Sequence, residues 1–213
     1  MSVKLVWCTE NPEQIISYCG RVSNPSNQEN YDTAPRLLKY LVKHHHWSPF
    51  EMASMCIELS QIPRGIAAQI LRHRSFCFQE LSQRYMDVSE VGADVPHLRR
   101  QDAKNRQSSI DDIPDINDAF HDRIEEHYKH SFDLYKDLVD QGVAKECARF
   151  VLPLSTNTKM YMSGTIRSWI HYCQVRCDPS TQKEHRDIAI QVRNILLEQL
   201  PSLREILEVE TKV

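Results

Sequence analysis

Apolar positions along the chain recur at two spacings, one suited to helices and one to strands. A short helix opens at Pro12, with Asn11 placed to cap it and Ile15, Ile16 and Cys19 along it. A polar loop, "NPSNQENYD" (24–32), follows. Thr33 can then cap a helix whose Leu37, Leu38, Leu41 and Val42 form an apolar stripe. That helix runs toward "HHHWSPFE", where Pro49 biases Ser48 away from helix. "MASMCIELS" (52–60) predicts a strand of mixed burial. Pro63 suits the first turn of a helix reaching about His73, with Ile66, Ala67, Ile70 and Leu71 toward the core.

Residues 87–114 are polar and predict a long loop or excursion. An amphipathic helix from about Asn117 to Gln141 carries Phe120, Ile124, Tyr128, Tyr135 and Leu138 on one side, and Gly142 is well placed to end it. "AKECARFVLP" predicts a short helix stopped by Pro153, and "TKMYMSG" a strand. Helices near Ile166–Arg176 and Glu184–Leu200 and a short one from Pro201 complete the chain. Long helices with few non-alternating strands predict an α+β fold, a mixed or antiparallel sheet flanked by long helices.

Length changes this picture little: 213 residues suit a single domain over 1–213, large enough to fold without disulfide or metal. Charge narrows it more. With 26 basic against 29 acidic residues, no global field draws nucleic acid or anionic membrane, so any anion site is local. Seven cysteines, an odd number with no C-x-x-C, predict free thiols. No apolar run approaches a membrane span, and "MSVKLVWCTENPEQ" lacks a signal-peptide core, so a soluble cytoplasmic protein is expected.

The local anion site is suggested by "QILRHRSFCFQELSQRY" (69–85), where arginines, a histidine and a glutamate are threaded between apolar residues. On a helix ending near residue 73, Gln69, Arg72 and His73 would share one face, followed by Arg74, Ser82 and Arg84. Guanidinium forks grip phosphate oxygens in pairs, so converging arginines suit a phosphate-bearing ligand. From spacing alone, a solvated helix end with ion pairs to Glu80 fits as well. The interleaved Ile70, Leu71, Phe76, Phe78 and Leu81 imply that the segment lies partly inside.

Arg72-His73-Arg74, seven residues, then Ser82 resembles the R-H-R-x7-S signature of flavin-dependent thymidylate synthases. "ELSQRY" (80–85), "KHHHWSPFE" (43–51), "ARFVLP" (148–153) and "RSWIHYCQVR" (167–176) resemble further motifs of that family in order, over roughly residues 20–190. The resemblance implies the thymidylate synthase-complementing fold and reductive methylation of dUMP to dTMP. Methylenetetrahydrofolate would give the carbon, and NADPH-reduced FAD the hydride. It also implies a homotetramer whose active sites lie at subunit interfaces, with small-molecule partners, no nucleic acid and no membrane.

Residue by residue, it implies dUMP contacts at Gln69, Ile70, Leu71, Arg72, Glu80, Leu81, Ser82, Gln83, Arg84, Arg149 and Arg176. FAD contacts are implied at Ser48, Arg72, His73, Arg74, Glu80, Thr165, Ile166, Arg167 and His171. His46 matches a histidine beside flavin and folate, and with Arg176 is the catalytic expectation. Thr165 and His171 stand where some members carry asparagine, and Gln83 where glycine is common. Elementary chemistry agrees with this division. A phosphate near two negative charges suits Arg84, Arg149 and the backbone around Ser82, and positive charge from Arg176 at the uracil N3–O edge would activate C5.

Other chemistries fit these residues less well. "HHH" at 44–46 points in divergent directions with no carboxylate at ligand spacing, so no metal is expected. Ser82 lacks a neighbouring histidine base, which favours a phosphate-contacting hydroxyl over a nucleophile. Cys77, between Phe76 and Phe78, is expected to be buried and inert. Trp169, Ile170 and Cys173 are expected to pack a helix face. Glu51 stands equally as a helix cap or a ligand contact.

Overall fold

The computed structural model describes residues 1–208. In chain order its elements are β1 (Ser2–Cys8), α1 (Pro12–Gly20), α2 (Ala34–Lys43), β2 (Ser54–Pro63), α3 (Arg64–Ile70), β3 (Cys77–Glu80), β4 (Arg100–Gln101) and β5 (Ser109–Ile110). Then come α4 (Pro114–Asp140), α5 (Lys145–Ala148), β6 (Asn157–Thr165), α6 (Ile166–Arg176), α7 (Lys183–Gln199) and α8 (Arg204–Leu207). The main sheet has the order β1-β2-β6-β3. β2 and β6 are antiparallel: at one end Ile166 N–H donates to Ala53 O (2.8 Å), and at the other Arg64 N–H donates to Thr156 O (3.0 Å). The fold is α+β, as expected.

The chain divides into two compact units. The first holds Met1, Ser60–Arg72 and Gln79–Met160; the second holds Ser2–Leu59, His73–Phe78 and the chain from Tyr161 on.

The first unit is organised by α4. Pro114 starts it, because a first-turn residue needs no amide donor. Gly142, at φ +84°, follows its end in the left-handed conformation that glycine tolerates. Tyr135 is fully buried beside Val88 and Ala148, with Leu81, Leu138, Val143 and Val151 packed around them. Phe120 departs from the expected stripe: it is exposed, and Arg123 lies 5.0 Å over its ring. The polar 87–114 stretch is irregular apart from β4 and β5, which pair antiparallel. Asp102 stabilises the turn between them by accepting the Lys104 (2.7 Å) and Asn105 (3.2 Å) amides.

The second unit buries Ile16, Leu38, Phe50, Met55, Ile57, Trp169, Ile170, Ile188, Val192 and Leu196. Trp169 donates its indole N–H to Met55 O at 3.0 Å, so its one polar atom is satisfied in the core. Both expected helix caps turn out differently. Asn11 precedes α1 in a left-handed conformation (φ 48°) and makes no side-chain cap. Thr33 instead accepts from Arg21 Nη2 at 2.7 Å, since the nearly buried Arg21 needs acceptors. Among the described residues, no helix is long and apolar enough to cross a membrane.

Candidate functional site

In the first unit the chemistry gathers where β3 runs into "ELSQRY". Helix α3 stops at Ile70, short of the expected residue 73, and Arg72 N–H donates to Gln69 O (3.2 Å) in a tight final turn. Gln69, Arg72 and His73 therefore do not share a helix face. Ile70 is fully buried, backbone and side chain together, and belongs to the core. Arg72 and Leu71 are exposed.

Glu80 is half-buried on β3. Its Oε1 accepts from Thr158 Oγ1 at 3.0 Å and lies 3.3 Å from Arg64 Nη1. Arg64 also donates from Nη2 to Leu81 O (2.8 Å), while its Nε has no partner among the described residues. Burial pushes the Arg64 pKa down, Glu80 opposes this, and Arg149 adds to it. Two guanidinium groups thus answer one carboxylate, an excess of positive charge suited to an anion.

Beyond Glu80 the chain turns, with the Tyr85 (3.2 Å) and Met86 (3.0 Å) amides donating to Ser82 O. Ser82 is exposed and Gln83 is buried. Arg84 offers Nε (3.0 Å) and Nη2 (2.9 Å) to one oxygen of Glu146. Both partners are exposed, so this pair is weak and a phosphate can displace it.

The second unit carries the other group. His73 Nε2 accepts from Arg176 Nε at 2.8 Å. Burial first, then Arg176 and His171, push the His73 pKa down to about 4. The ring is therefore neutral at pH 7, and an accepting Nε2 places its proton on Nδ1. Its ring meets Tyr172 edge-on at 5.0 Å and 71°. Tyr172, fully buried, shares a hydrogen bond of 3.2 Å with His185 Nε2, and burial drives its pKa far up. Burial, with Arg176 and His73, pushes His185 down to about 3.

Phe76 fixes the turn after His73. Its ring lies 4.5 Å from that of Trp169 and directly over Gly164, where a Cβ would come within 2.5 Å of Phe76 Cδ1. Strand alternation then turns Phe76 inward and Cys77 outward. Cys77 is exposed, correcting the expectation that it is buried in an apolar run. Trp169, Ile170 and Cys173 pack inward as expected.

A cavity of about 470 Å³ in this unit is lined by Trp47, Glu51, Ser75, Arg167, His171 and Gln174. Arg167 Nη1 pairs with Glu51, so Glu51 holds a site arginine and is not a helix cap. Ser48, Arg74 and the histidines 44–46 are exposed, and His46 lies 6.2 Å from the Tyr40 ring, centroid to centroid. Thr165 Oγ1 accepts from Ser168 N–H at 3.3 Å and so caps α6. Ile166 is wholly buried, and its N–H is committed to Ala53 O.

Sequence reasoning missed Arg64, Thr158, Tyr172 and His185. Thr158 meets Glu80 across 78 residues of sequence and has no local signal. His185 did have one: it lies at helical spacing with the buried Ile188, Ala189, Val192 and Leu196 of α7, a polar residue on an apolar stripe.

A family model described as "Thymidylate synthase complementing protein" matches residues 4–202. A probable flavin-dependent thymidylate synthase of Paramecium bursaria Chlorella virus 1 is 49% identical over 217 residues, covering 98% of this chain and 99% of that one. The flavin-dependent thymidylate synthase of a Synechocystis species is 47% identical over 199 residues, 93% of this chain and 90% of that one. Among solved structures, a UMP/dUMP methylase of Streptomyces cacaoi bound with 5-Br dUMP superposes with a TM-score of 0.85 at 26% identity, covering 98% of this chain and 94% of that one.

Proposed function

The chain belongs to the thymidylate synthase complementing proteins, the flavin-dependent thymidylate synthases, and from that premise we propose how its residues divide the work. The reaction is the reductive methylation of dUMP to dTMP. FAD, when bound and reduced by NADPH, supplies the hydride that completes the methyl group carried in by methylenetetrahydrofolate.

The residues present fit that cofactor. Arg167 and His171 line the cavity of the second unit, and His73 presents an Nδ1–H donor while its Nε2 is engaged. Ser48, Arg74, Thr165, Arg167 and His171, with Arg72, His73 and Glu80, would hold FAD, and buried Ile166 would pack behind them. The Glu51 carboxylate pairs with Arg167, and both line the cavity.

For dUMP, Arg84, Arg149 and the backbone around Ser82 take the phosphate, where the arginine excess around Glu80 favours two negative charges. Gln69, Leu71, Arg72, Glu80, Leu81 and Gln83 complete that subsite, with fully buried Ile70 packing beneath it. Arg176 serves the uracil edge. A fixed guanidinium at N3 and the adjacent oxygen favours the enolate-like form of the ring, which raises the electron density with which C5 attacks the incoming carbon. His46 stands beside the folate. The span 1–213 acts as one synthase domain, in a cytoplasmic homotetramer whose active sites are built from several copies of the chain.

The observation that carries this reading is the Arg176–His73 hydrogen bond, which uses Nε and leaves both Nη groups as parallel donors for a pyrimidine edge. A spectroscopic experiment tests it. The purified protein is expected to be yellow, to bleach with NADPH under anaerobic conditions, and to regain colour when dUMP and methylenetetrahydrofolate are added together. Protein that binds dUMP but no flavin would overturn the reading in favour of a redox-silent nucleotide-binding protein.

A further inference from the structure

We propose that His185 is a positioning residue for Arg176, acting through Tyr172 and His73. The proposal rests on the assignment of Arg176 to the uracil edge and extends it inward. Three segments of the second unit meet at this point: α7 with His185, α6 with Tyr172 and Arg176, and the turn carrying His73. Tyr172 and Arg176 stand at i and i+4 on α6 and so share a face.

The main contacts run in series, and the His185 ring also faces that of His73 edge-on at 6.1 Å. His185 Nε2 lies 3.2 Å from the Tyr172 hydroxyl, the Tyr172 ring meets His73 edge-on at 5.0 Å, and His73 Nε2 accepts from Arg176 at 2.8 Å. His185 and Tyr172 are both fully buried. Burying an imidazole and a phenol carries a desolvation penalty that two apolar rings would avoid, so packing alone does not explain this pair.

Orientation does explain it. An imidazole can turn over about its Cβ–Cγ bond, which puts Cε1 where Nε2 stood and Cδ2 where Nδ1 stood, and only one placement gives Arg176 an acceptor. The Tyr172 ring is the wall against which His73 rests, and its hydroxyl is tied to the next helix. With Tyr172 fixed, His73 keeps Nε2 toward Arg176 and the guanidinium plane is set before substrate arrives. Without the tie, Tyr172 tilts, His73 is free to rotate, and Arg176 samples geometries that miss the uracil edge. Small misplacements at a reacting centre are costly in rate.

The test compares His185→Phe, Tyr172→Phe, the double variant and His185→Gln with the parent, in single-turnover reoxidation of prereduced holoenzyme at saturating dUMP and methylenetetrahydrofolate. His185→Phe and Tyr172→Phe should each slow the step by about 10-fold, within the range expected for misaligned catalytic groups. The double variant should be no slower than the worse single one, because both cut the same series of contacts. His185→Gln, whose amide can reach the Tyr172 hydroxyl, should recover most of the rate. A parental rate in His185→Phe, or penalties that multiply in the double variant, would overturn the proposal. If His185→Phe fails to fold or loses flavin, Tyr172→Phe, which removes a single oxygen, decides by the same criterion. Arg176→Ala run in parallel separates the two levels. If it is also unimpaired, the Arg176 assignment has failed; if it is slow while His185→Phe is not, only the positioning role has.

Discussion

Replacing Arg176 by alanine removes two things that the structure allows to be told apart. The first is the donor to His73 Nε2, 2.8 Å away. An acceptor left unpaired in the interior costs about 1–3 kcal/mol, and His73 is only half-buried, so water can take up part of the loss and about 1 kcal/mol of stability is at stake. Removing this neighbouring positive charge should also let the His73 pKa rise from about 4 back toward its ordinary value, since Arg176 is one of the groups holding it down. The second loss is the pair of Nη donors. If they stabilise the enolate-like form of uracil from which C5 attacks, kcat should fall by about 10²–10³, or about 2.7–4 kcal/mol, the scale for one preorganised donor site. Arg176→Lys should recover only part of this, because an ammonium cannot serve His73 and two pyrimidine atoms in one plane. Flavin content should not change. The assay is single-turnover oxidation of prereduced enzyme at saturating dUMP and methylenetetrahydrofolate. A parental rate in Arg176→Ala would show that the residue only binds, and the catalytic role would be lost.

Gly164→Ala should destabilise the protein by about 1–3 kcal/mol in thermal or denaturant unfolding, because its Cβ would collide with the Phe76 ring; unchanged stability would mean that the ring moves freely. Cys77→Ala should keep substantial activity, since the thiol is exposed on β3 and the methylation needs no thiolate adduct; a loss beyond about 10³-fold with flavin still bound would contradict this. Acid should weaken the fold through two histidines. Both have folded-state pKa values below 6.5, about 4 for His73 and about 3 for His185, so the folded state binds fewer protons than the unfolded one in this range. Their contribution is fully present above about pH 6.5 and is lost as pH falls toward 4 and then 3, at up to about 1.4 kcal/mol per pH unit for each histidine. His185→Gln should flatten that slope in urea titrations, and an unchanged slope would place the acid sensitivity elsewhere.

Local periodicity made much of the fold legible. The 3.6-residue spacing located α4 and, with a good N-terminal boundary at Ile166, gave both ends of α6. What sequence could not show was set by contacts between distant segments. Helix α3 stops at Ile70, and nothing between residues 64 and 73 marks that end in the sequence. "FCF" looked like an apolar block, yet as a strand it has an inside and an outside, and Cys77 took the outside. For the candidate site, the R-H-R-x7-S pattern supplied a set of residue types. The support of that site was not legible: Thr158 reaches Glu80, and His185 reaches Tyr172, only once strands and helices have paired.

Methylation at C5 requires that the hydrogen on that carbon leave as the new carbon–carbon bond is made. With dUMP tritiated at C5, the protein is expected to release tritium to water in step with dTMP formation, and only when NADPH and methylenetetrahydrofolate are both present. If flavin-loaded protein given all three substrates released no tritium and formed no dTMP, the synthase assignment and every residue role derived from it would be contradicted.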